Sequence, residues 1–228
     1  MVFINVDSEI RKIDIHKLAK GHYSESTPVL RENISAEFDE PFETFCVEES
    51  GIIALTAYGE IHWNSINFNH RYKTRSLAQY LGRLPDQQFT TIQAIDGLLF
   101  TSSVAVDIYQ EGMEIATISM VGLSTLKPIN TITFKYDTFG SNTSTRNPIH
   151  QFSEIKNSSL VIARAYASYI FLINCKNNKL SIQDCWCLSD SRAKIFSVLI
   201  LDRLSAVVVS YQSDISTSVI CMLPMIKL

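Results

Sequence analysis

Residues 96–118, DGLLFTSSVAVDIYQEGMEIATI, set short apolar runs between tight turns, and the same order recurs three more times along the chain. Asp96-Gly97 is a strong turn pair, and Gln110-Glu111-Gly112 is a second turn. Between them, residues 98–103 form one strand candidate. Residues 104–109 alternate as V-A-V-D-I-Y, the period of a strand with one buried face. Residues 113–118 resume as a third strand. The pattern returns in 49–66, 156–188 and 200–226. Each copy follows one further strand candidate, at 44–48, 89–94, 149–155 and 194–201. A unit of four strands therefore repeats at spacings of about 45, 60 and 45 residues. The longer middle spacing reads as an insertion, TLKPINTITFKYDTFGSNTSTRN, with a polar loop at 141–147.

Four-strand meanders repeating every ~40–50 residues are what the blades of a propeller require. From about residue 43 to the last residue the chain resembles a degenerate WD40-like β-propeller. The units run 43–88, 89–148, 149–193 and 194–228, and residues 1–42 supply an N-terminal strand and a connector. The likeness lies in the pattern. Trp63 is followed by Asn64 and Trp186 by Cys187, so no Trp-Asp pair exists, and Gly21-His22 falls outside the repeats. The expected fold is all-β, a small or incomplete propeller of about four to five blades. The alternative is a β-sandwich, whose short strands also recur about every 8–12 residues. One short helix is expected near residues 75–84. There Leu77, Tyr80, Leu81 and Leu84 share a helical face, Thr74 can cap the start, and Pro85 stops the run.

A ring must join its first and last blades. The apolar strand Val2, Phe3, Ile4, Asn5 and Val6 has no obvious neighbour in sequence. It is expected to close the ring as the outer strand of the last blade. Otherwise the ring stays open and a partner completes it by adding strands to a bare edge.

Catalytic and cofactor motifs are missing. No phosphate-binding glycine loop occurs, no G-x-S-x-G, and the five histidines show no metal-protease spacing. No cofactor and no metal are expected. Cys185 and Cys187 share a strand face and could join Cys175 or His150 around zinc. However, C-x-C is not a usual zinc knuckle, and free cysteines are commonly buried, so core packing is the expectation. A net charge of −3 offers no general attraction for nucleic acid. One local basic segment spans 70–83, with Arg71, Tyr72, Lys73, Arg75 and Arg83 as candidate partner-binding residues. Its plainer reading is a solvated loop. No secretory leader and no run of about 20 apolar residues is evident, and the odd count of five cysteines suits a reducing compartment, cytoplasm or nucleus.

What the resemblance implies is a non-enzymatic scaffold or adaptor subunit of an intracellular complex, binding protein partners through loops or an open blade edge. The alternatives are a nucleic-acid-associated subunit using 70–83, and an enzyme with a site in a central channel.

Overall fold

The computed structural model describes residues 2–6, 9–13, 26–31, 42–49, 51–64, 73–82, 84–110, 112–137, 149–155, 159–165, 169–187, 194–201, 206–212 and 218–224. They form five antiparallel meanders. The first has three strands, β1 (Val2–Val6), β2 (Glu9–Ile13) and β3 (Ser26–Arg31). The second has four, β4 (Phe42–Glu48), β5 (Gly51–Thr56), β6 (Glu60–Asn64) and β7 (Lys73–Ser76). The third is β8 (Gln88–Ile95), β9 (Leu98–Val106), β10 (Met113–Gly122) and β11 (Pro128–Asp137). The fourth is β12 (Ile149–Glu154), β13 (Leu160–Ala165), β14 (Tyr169–Asn174) and β15 (Ser181–Cys187). The fifth is β16 (Lys194–Leu201), β17 (Ala206–Gln212) and β18 (Ser218–Pro224).

Burial separates a propeller from a sandwich. A sandwich strand wets every second residue, whereas β5 is buried at all of its positions and β9 is buried from Leu99 through Ala105. Such strands need cover on both faces. The third sheet shows how this is met. Leu99 and Val121 join Ile53, Leu55 and Ile61 of the second sheet in one core. The adjacent residues Phe100 and Met120 join Phe152, Val161 and Phe171 of the fourth sheet in another. Successive residues of a strand point to opposite faces, so the third sheet is wedged between its two neighbours. Burying each of these large side chains contributes about 1.5–3 kcal/mol. The first strands line up along the inside of the stack: β1 lies beside β4, β4 beside β8, and β8 beside β12.

The inner strands of the last four sheets share one irregularity. The register shifts between Phe42 and Thr44, Phe89 and Thr91, Ile149 and Gln151, and Ile195 and Ser197. A bulge at matching positions is the mark of a repeated unit. At the seam between the third and fourth sheets the bulge serves as a clasp. Ile149 O accepts hydrogen bonds from Thr91 Oγ1 at 2.9 Å, Ser102 Oγ at 2.9 Å and Thr90 Oγ1 at 3.0 Å. At the seam between the second and third sheets, Gly59 takes φ +89°, and a Cβ there would stand against Phe89 Cε2, with Cδ2 at 2.7 Å and Cζ at 2.8 Å. Phe89 N donates to Ala57 O at 2.8 Å, and Leu77 N donates to Gly59 O at 2.8 Å.

Five expectations are corrected. The helix near 75–84 shrinks to a single turn, α1 (Ala78–Leu81), because 73–76 pair with β6 as the outermost strand of their sheet. Leu77 is fully buried in the core while Tyr80 is 47% exposed, so the apolar spacing does not mark one face. Residues 98–109 make one long strand and a loop, not two strands. The supposed insertion after residue 124 holds β11, the fourth strand of its sheet. The N-terminal strand Val2, Phe3, Ile4, Asn5 and Val6 pairs with β2 and takes an inner position beside β4; the last sheet contains β16, β17 and β18 without it. Part of the expected connector, Ser26–Arg31, is itself a strand.

Candidate partner-docking site

Because β8 and β9 are antiparallel, the start of β8 and the end of β9 lie at one end of the stack, where Phe89 pairs with Ser103. The turn between β5 and β6 is tied to the same end by the Phe89–Ala57 bond. This end carries a group of exposed apolar side chains. Ile108 is 66% and Tyr109 87% exposed at the tip of the β9–β10 loop, and Tyr58 and Tyr80 are about half exposed on the neighbouring turn and α1.

The tip is held by a buried carboxylate. Asp107 is 2% exposed, and its Oδ1 accepts the backbone N–H of Tyr109 at 3.0 Å, an Asx turn. Lys135 Nζ, on β11, stands 2.6 Å from Asp107 Oδ2 and donates to Gln110 Oε1 at 3.4 Å. Asp107 N donates to Met113 O at 3.0 Å, and Gln110 N to Asp107 O at 3.3 Å, which closes the loop. The hydrogen bond from Lys135, followed by that from Tyr109 N, holds the Asp107 carboxyl below its usual range. The loop therefore presents Ile108 and Tyr109 on a fixed base, a geometry that lowers the ordering cost of binding.

The residues singled out in the sequence fall elsewhere. Lys73 and Arg75 lie on β7, opposite Trp63 and Ile61, on the outer edge of the second sheet. Arg75 is exposed. Arg71, Tyr72 and Arg83 lie outside the described residues. Among the described residues no three His, Cys, Asp or Glu side chains come together in a way that could hold a metal. Burial pushes the Cys46 thiol up to about 12 and the Cys175 thiol up to about 11, so both stay protonated at neutral pH. Cys185 is exposed. The side chains of Cys187 and His150 lie outside the described residues. His62 is 5% exposed, packs edge-on against Phe42 at 5.2 Å, and lies 3.4 Å from Glu60 Oε2; burial lowers its pKa. No described helix is long and apolar enough to cross a membrane.

Sequence reasoning missed the Ile108–Tyr109 tip because its alternation mimics a strand. The available signal was Asp107 directly before the exposed pair, with Gly112 closing the loop.

No family model matches the sequence, and no curated protein matches it. Solved structures do match in shape. The WD40 domain of coronin from Toxoplasma gondii superposes with a TM-score of 0.57 at 9% identity, over 98% of this chain and 55% of that one. The β-propeller domain of Cps50 (Swd1) from Myceliophteria thermophila gives 0.52 at 11% identity, over 91% of this chain and 60% of that one. This chain thus spans little more than half the length of those propeller domains. The stacking of the second, third and fourth sheets, the repeated bulge and these likenesses together give the chain the all-β fold of a WD40-like β-propeller.

Proposed function

We propose that the protein is a non-enzymatic scaffold subunit of an intracellular complex, and that partners dock on the end carrying Ile108 and Tyr109. The observation that carries this reading is the tip itself. Two large apolar side chains, 66% and 87% exposed, stand on a loop fixed by the Asp107–Lys135 pair. A side chain as large as tyrosine, held out in water on a rigid base, is the kind of anchor that dominates protein interfaces. Tyr58 and Tyr80 extend the same end. The general use of propellers as protein-interaction platforms supports the reading by analogy of fold. Arg75 is an exposed charge on the edge strand β7, and a charge there discourages unwanted strand pairing.

The test is comparative affinity purification at native expression. The tagged protein is captured in parallel with the Ile108→Ala/Tyr109→Ala variant, and bound proteins are identified by mass spectrometry. Specific partners should be lost from the variant while its thermal melt is unchanged. An identical partner set in both samples refutes the reading.

A further inference from the structure

We draw no further inference here: the strongest candidate, the groove formed by the two cavities that meet at Leu98 beside the β8–β9 turn, carries nothing because its rim runs into residues outside the described ones and nothing in the structure shows what covers it.

Discussion

Replacing Gly59 by alanine tests the contact on which the seam between the second and third sheets depends. Two costs add. A side chain at φ +89° is forced into a region that L-residues avoid, at about 1–2 kcal/mol. The new methyl would also collide with Phe89, which is 2% exposed and has little room to retreat. Overpacking of this kind costs about 1–3 kcal/mol. The total, about 2–5 kcal/mol, is a large share of the 5–15 kcal/mol of a typical domain. For a chain of this size it lowers Tm by about 4–20 °C. Gly97→Ala is the matched control: φ is +74°, but nothing lies within 4 Å of the new Cβ. It bears the strain alone, and Tm should fall by only about 2–8 °C. Differential scanning calorimetry of both variants, with Gly59→Ala/Phe89→Leu as a third, separates the two costs. The double variant should lose less than the sum of its single changes, because the shorter side chain vacates the space the methyl needs. Equal losses in Gly59→Ala and Gly97→Ala would show that the Phe89 ring does not seat on Gly59, and the account of the seam would fail.

Three other outcomes are expected. His62 has a lowered pKa in the fold, so the unfolded chain binds the extra proton first; stability should decline as pH drops below the ordinary value of 6.5, and urea titrations of His62→Gln should lose that slope. Asp107 is also lowered, so its contribution is full above about pH 4 and fades as acid protonates it; Asp107→Asn should speed amide exchange at Tyr109 and Gln110 at neutral pH, and unchanged exchange would refute its role in holding the tip. Iodoacetamide followed by peptide mapping should alkylate Cys185 well before Cys46 and Cys175, whose thiols are shielded and held protonated by burial.

The turns were the most legible part of the sequence. Asp96-Gly97 lies where its pair chemistry demands, and the strands of the fourth sheet follow the apolar runs of 149–187 closely. Errors arose where distant partners override local pattern. Thr101, Ser102 and Ser103 are polar yet buried, and Ser102 and Ser103 bond to Ile149 O and to Gln87 Nε2. No local window shows those partners, so the long strand β9 read as two short ones. The Leu77-Tyr80-Leu81-Leu84 spacing imitates a helix, although strand pairing of 73–76 with β6 claims the residues that would start it. The Ile108–Tyr109 tip was hidden for a similar reason. Its rigidity depends on Lys135, which sits two strands away from the Asp107 side chain that it meets.

The clasp on Ile149 O has a mechanical corollary. Its three hydroxyl donors all come from the third sheet, while the acceptor belongs to the fourth. Slippage by one residue would break all three contacts at once, as would a parting of the sheets, so this one carbonyl locks the pair against both shear and separation.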